Sequence, residues 1–266
     1  MSKLLAPVAL LVIGAGSVCL AQPGTGGTIS SGNTTFTQGN APTSSLALGP
    51  LANLSVGGDA NPDHLVQSWW WARIDTLDTS ENCLNSATSA VWAGDTSTVT
   101  YAFAIPLTSE VVQHSRVEGL ATGGRLIEEI TQINTSSVTQ RWTAFHYLDL
   151  NLAGTAAGDV AVLDGDRIRI SDGPWVAEYE GSDTYQVGSF ASVRNLLTNA
   201  VVDTFDNSGL PYAAANWTGG YQYTFTLAPG ESITLTARIT IVPAAPSLIT
   251  ALLGLSVYAR RARRKD

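Results

Sequence analysis

Ser232-Ile-Thr-Leu-Thr-Ala-Arg-Ile-Thr-Ile-Val242 decides the fold class. Ile233, Leu235, Ala237, Ile239 and Ile241 recur at every second residue, with Thr234, Thr236, Arg238 and Thr240 between them. A period of two places one set on each face of an extended strand. The stretch follows Ala228-Pro229-Gly230-Glu231, whose Pro and Gly suit a type II turn. Gly220–Leu227 precedes that turn, so Tyr221–Ile241 is expected to form a terminal hairpin.

Similar signals recur upstream at short spacing. Thr98–Ile105 puts Val99, Tyr101 and Phe103 on one face. Arg125–Asn134 and Ser137–Asn151 are expected to pair as a hairpin across Thr135-Ser136. Val160–Leu163 and Arg167–Ile170 flank Asp164-Gly165-Asp166, a compact Asp-Gly turn. His64–Ile74, Pro174–Tyr179 and Thr184–Val187 read as further strands. Helical periodicity is confined to Phe190–Ala200, with Ser189 as its N-cap. Many short strands with one short helix predict an all-β fold, an antiparallel β-sandwich over residues 63–241. Residues 22–62 form a Gly/Ser/Thr-rich leader in which Thr28–Thr37 is a candidate edge strand.

The two ends carry address signals. Lys3, the apolar run Leu4–Ile13 and Cys19-Leu20-Ala21 before Gln22 match a secretory signal peptide over residues 1–21. Removing it leaves Cys83 as the lone cysteine, expected to be a buried thiol. The C-terminal segment, residues 242–266, opens with Val242-Pro243-Ala244-Ala245-Pro246-Ser247. An apolar run follows, then a basic stop of Arg260, Arg261, Arg263, Arg264 and Lys265. Pro243–Ala259 is 17 residues long. As a helix it would span roughly 26 Å, just short of a hydrocarbon core of about 30 Å. The arginines would hold the extreme C-terminus in the cytoplasm. The expected location is therefore secreted or cell-envelope, with transient inner-membrane anchoring by this C-terminal helix.

This tail resembles the PEP-CTERM class of bacterial sorting signals, with Pro243-Ala244-Ala245-Pro246 where that class has Pro-Glu-Pro. The resemblance implies an exosortase-like processing enzyme as partner. The core, in phrases such as Leu65–Trp71, Glu129–Asn134, Phe145–Asp149 and Leu227–Ser232, is similar to uncharacterised secreted β-proteins of environmental bacteria that carry such tails. That similarity implies an all-β fold and no particular activity.

Between the ends, Gln22–Ile241 holds 8 basic residues, all arginine, against 21 acids, for a net charge of −13. So acidic a surface repels phosphate backbones, which argues against a nucleic-acid partner. Apolar content of 44% is too high for disorder. No cofactor is implied, calcium excepted.

The candidate sites each have a plainer alternative. Trp69 and Trp71 share one strand face and could form a platform for an extracellular polysaccharide; Trp70 takes the other face, with Val66 and Ile74. The alternative is that all three pack in the core. Asp149, Asn151, Asp164 and Asp166 offer oxygens for calcium, or simply form turns. His64, His114 and His146 show no zinc spacing, and no nucleophile elbow is present. His146 with Asp149 and Glu128 is a candidate acid–base cluster, and paired carboxylates could serve a glycosidase. Without a catalytic motif, the expected function is non-enzymatic: a cell-surface or matrix β-sandwich. The alternative is a carbohydrate-binding module or carbohydrate-active enzyme. Four Asn-x-Ser/Thr sequons, at Asn33, Asn53, Asn134 and Asn216, read as incidental in a chain rich in Ser and Thr.

Overall fold

The computed structural model describes residues 26–39, 50–58, 62–84, 87–103 and 109–244. The signal segment 1–21 and the tail from Ala245 through Pro246, Ser247 and the basic stop lie outside the described residues. Among the described residues no helix is long and apolar enough to cross a membrane.

The chain runs through β1 (Gly27–Ser31), β2 (Thr34–Gln38), β3 (Ala52–Val56), β4 (Leu65–Ile74), β5 (Asn82–Cys83) and β6 (Ala87–Ala93). It continues with β7 (Thr96–Phe103), β8 (Ser109–Leu120), β9 (Gly123–Asn134), β10 (Gln140–Leu150), β11 (Asp159–Asp164) and β12 (Arg167–Asp172). After β13 (Trp175–Glu180) and β14 (Thr184–Gly188) come helix α1 (Phe190–Thr198), β15 (Tyr212–Ala215), β16 (Thr218–Leu227) and β17 (Ser232–Pro243). A five-stranded sheet, β14-β16-β10-β4-β5, stacks on a nine-stranded sheet, β15-β11-β12-β13-β17-β9-β8-β7-β6. All pairings between these strands are antiparallel. The fold is thus an antiparallel β-sandwich with one α-helix among the described residues.

The leader contributes three strands to this fold. β1-β2-β3 form a small third sheet whose Ile29, Phe36, Leu54 and Val56 are buried against β8, β9 and their neighbours. Gly124 on β9 permits that contact, because a Cβ there would overlap the Thr34 side chain and Val56. Helix α1 starts where Ser189 accepts a hydrogen bond from the Ser192 amide. It buries Val193 and Leu197 and packs on β14 and β16.

Both expected hairpins are corrected. β9 pairs with β8 and β17, whereas β10 pairs with β4 and β16. Likewise β17 pairs with β9 and β13, not with β16. Each connection therefore carries the chain from one sheet to the other. The two crossovers lie side by side and share one residue, the buried Asn134. Its side-chain amide donates to the Val138 carbonyl at 2.8 Å and the Leu227 carbonyl at 2.9 Å. Its Oδ1 accepts from the Ser136 amide at 3.0 Å and hydroxyl at 2.7 Å. The Asn134 backbone completes the junction with Glu231 and Gly230. Buried in this way, Asn134 is closed as a glycosylation acceptor. The expected turn at Ala228–Glu231 does form, with Gly230 at φ +79° and the Glu231 amide on the Ala228 carbonyl. The β11–β12 hairpin at Gly165 also forms as read.

The tryptophan triplet sits in β4, which is covered on both faces. Trp69, Trp70 and Trp71 are 2%, 0% and 0% exposed. Trp70 packs edge-on to His146, and Trp69 Nε1 donates to the Leu84 carbonyl at 3.0 Å. Trp69 and Trp71 are therefore core side chains and cannot present a face to a sugar; a further layer covers the surface that alternation alone left open. Trp142 is buried as well. Cys83 is buried beside Trp69, and in the full-length chain it is not a free thiol.

Candidate functional site

The densest group of chemistry-bearing side chains lies between the two large sheets. On β9, Glu128 shares its strand face with Leu126 and Ile130, so alternation drives a carboxyl inward. A buried carboxyl is tolerated only when hydrogen-bonded. Ser68 on β4 donates to Glu128 Oε2, and His146 Nε2 on β10 lies 3.1 Å from the same oxygen. Ser68 Oγ is 3.1 Å from His146 Nε2. Gln113 on β8 donates to Glu128 Oε1 at 3.3 Å and accepts from the Tyr101 hydroxyl at 3.1 Å. On the other side of the imidazole, His146 Nδ1 is 2.6 Å from the Tyr179 hydroxyl of β13. That hydroxyl donates to the His146 carbonyl at 3.0 Å. Ser68, Glu128, His146 and Tyr179 are all 0% exposed.

The hydrogen bonds place a proton on His146 Nδ1. A phenol has one proton, and Tyr179 gives it to the His146 carbonyl, so Nδ1 must donate to the Tyr179 oxygen. Burial pushes the Tyr179 phenol far above its usual range, as it does for Tyr101, so both remain donors. Ser68 and Glu128 then address the same imidazole nitrogen, Nε2. In a hydrolytic triad the two nitrogens are divided, one to the nucleophile and one to the carboxylate. Here the hydroxyl and carboxylate share one nitrogen and a phenol caps the other. The arrangement ties β4, β8, β9, β10 and β13 together, and its reactive atoms face no solvent.

The sequence placed His146 with Glu128 and Asp149. The structure brings the first two together and puts Asp149 elsewhere; Asp149 Oδ1 accepts from Thr218 Oγ1 at 2.8 Å. Ser68 and Tyr179 escaped sequence reading, because a lone Ser and a lone Tyr in apolar strands carry no motif. The expected calcium set is not assembled either. Asp149 and Asn151 stand at the end of β10, whereas Asp164 and Asp166 flank Gly165 at the distal tip of the β11–β12 hairpin. Asp164 instead faces Arg167 at 3.7 Å. The neighbour of Asp149 is Asp159 at the other end of β11. Burial raises both carboxyls to about 6, helped at Asp159 by the charges of Asp172 and Asp149.

A second buried charge group is structural. Arg73 binds Glu81 at 2.6 Å, Asp75 at 3.0 Å and the Asp203 carbonyl at 2.5 Å, with its guanidinium 5.2 Å from the Phe145 ring centre. It fastens the segment after α1 onto β4. On the surface, one shallow depression is lined by Thr96, His114, Arg116 and Glu129, with Thr98 Oγ1 3.0 Å from His114 Nδ1. Another is lined by Asp166, Asp183, Tyr185 and Tyr221, where the β11–β12 turn meets the β13–β14 connection.

No family model matches the chain, and no curated protein matches it. Among solved structures, it is similar to a bacterial glucoamylase complexed with acarbose, with a TM-score of 0.53 and 9% identity. That match covers 93% of this chain and 36% of the glucoamylase, so the chain spans about a third of that protein's length. At this identity the likeness shows a shared fold. A proposed aldose 1-epimerase from Escherichia coli K12 gives a TM-score of 0.47 at 11% identity, over 82% of this chain and 98% of that one. A proposed kojibiose phosphorylase from the human microbiome gives 0.39 at 10% identity, over 94% and 34% respectively.

Proposed function

We propose that this chain is an exported, non-catalytic β-sandwich protein of the cell surface or extracellular matrix, sorted through its C-terminal segment. The observation that carries this reading is the closure of the Ser68–Glu128–His146–Tyr179 network. The residues best suited to acid–base or nucleophilic chemistry are consumed as ties between sheets. The signal-type N-terminus and the apolar, arginine-ended tail supply the export half. Processing by an exosortase-like enzyme would act beyond Ala244. Val242 and Pro243 are strand residues paired with Val176 and Trp175, and the Ala244 amide donates to the Pro174 carbonyl at 2.6 Å. A cut after that point leaves β17 intact. Incubation of the purified protein with a panel of polysaccharides and esters should give no turnover; release of reducing sugar or acid would overturn the non-catalytic half.

A second reading is favoured by one observation. The depression at Asp166, Asp183 and Tyr185 places two carboxylates beside one partly exposed phenol ring, above the buried Tyr221, a polar-and-aromatic lining suited to a glycan. It replaces Trp69 and Trp71 as the place where polysaccharide recognition would occur. Loss of polysaccharide pull-down in Tyr185→Ala would support it, and unchanged retention would remove it.

A further inference from the structure

We propose that the junction of β10, β11 and β16 binds a divalent cation of the calcium type, held by Asp159, Asn151 and Asn216. Asp159 is 0% exposed and uses Oδ2 to accept from the Trp217 amide at 3.0 Å. Its other oxygen, Oδ1, is buried with no hydrogen-bond donor. Two amide oxygens at the same junction, Asn151 Oδ1 and Asn216 Oδ1, are buried without a donor as well. Backbone pairing brings the three residues to one junction. Asp159 lies opposite Ala215, next to Asn216, and the Leu150 amide reaches the Trp217 carbonyl at 3.4 Å, which carries Asn151 alongside.

Buried oxygens normally find a proton donor. Three acceptors without one, in a single junction, call for a partner that has no lone pairs to repel them. The junction is also negative. Asp149 and Asp172 sit close enough to raise the Asp159 carboxyl, and none of the three acids is in a salt bridge among the described residues. Carboxylate and amide oxygens are hard ligands, and calcium accepts them in irregular shells of six to eight. Among the described residues no three His, Cys, Asp or Glu side chains converge as a metal site, so amide oxygens and water complete the shell.

The test uses the full chain with Ca²⁺ and Tb³⁺. Trp217, whose amide binds Asp159, should sensitise Tb³⁺ luminescence, and Ca²⁺ should compete the signal away. The melting temperature should be higher in Ca²⁺ than in EDTA. Asp159→Asn should weaken Ca²⁺ binding by at least about tenfold, the scale at which ligand-sphere changes act. Asn216→Ala, which removes no charge, should do the same and carries the test if Asp159→Asn does not fold. Equal melting in Ca²⁺ and EDTA without sensitised emission would mean that water serves these oxygens, and would overturn the proposal. Binding that both variants leave unchanged would overturn it too.

Discussion

His146 and Tyr179 hold each other twice across the sandwich: Nδ1 meets the phenol oxygen at 2.6 Å, and the phenol proton goes to the His146 carbonyl at 3.0 Å. One residue is on β10 of the five-stranded sheet and the other on β13 of the nine-stranded sheet. With Glu128 and Ser68 they form a polar bolt through an aromatic core. Tyr179→Phe leaves the buried His146 Nδ1 unpaired and should cost about 1–3 kcal/mol. Glu128→Ala strips the shared acceptor from Ser68 and Gln113 and the neighbour from His146 Nε2, and should cost about 2–4 kcal/mol, several times a single net bond. Urea denaturation checks both. Losses below about 0.5 kcal/mol, the surface-substitution range, would mean that the network is not a tie.

His64 predicts an acid sensitivity. It is 0% exposed, stacks edge-on to Trp175 at 4.6 Å, and accepts the Ala153 amide at Nδ1. Burial lowers its pKa from 6.5 to about 4. As pH falls from 6.5 to 4 the unfolded chain takes up the proton first, so stability is lost across that window. The loss is roughly 3 kcal/mol when the shift is converted at about 1.4 kcal/mol per unit. His64→Asn keeps an acceptor and does not titrate. The difference between its pH–stability curve and that of the parent should fall over the same window; parallel curves would contradict the assignment.

Asn134 predicts a crossover lock. Asn134→Ala removes hydrogen bonds to both sheet-crossing segments and should cost about 2–4 kcal/mol, several times a single net bond. Asn134→Asp keeps the acceptor for Ser136 but turns a carboxylate oxygen toward the Val138 and Leu227 carbonyls. It should therefore be the more damaging at neutral pH. Thermal melts of the two variants rank them, and the reverse order would contradict the donor assignment.

Trp69→Ala and Trp71→Ala should act on stability. Removing a large buried aromatic costs about 3–5 kcal/mol. Chemical denaturation reads that loss directly. Variants as stable as the parent would show that these side chains are not in the core.

Alternation in Ser232–Val242 was enough to read the all-β class, and Ser189 with Phe190, Val193 and Leu197 was enough to read the helix. Pairing was not readable at Asn134 or Ala228–Glu231. A Gly/Pro turn or a Ser/Thr pair looks the same whether the chain returns to its own sheet or crosses to the other. Only the long-range partners of β9, β10, β16 and β17 decide that. Period two also sorts residues into faces without saying which faces are covered, so the exposure of Trp69 and Trp71 could not be read from β4 alone. The buried cluster was half legible. His146 and Glu128 are conspicuous as titratable residues in apolar strands, whereas Ser68 and Tyr179 join them only through cross-sheet packing.

The central claim, export of a folded sandwich whose tail is removed, is tested most directly by the intact mass of the protein recovered outside the cell. The account predicts a chain that begins at Gln22, retains Pro243 and Ala244 with β17, and lacks the apolar run and arginines that follow. Recovery of a full-length chain, still carrying Leu248–Asp266 and held in the membrane fraction, would contradict it.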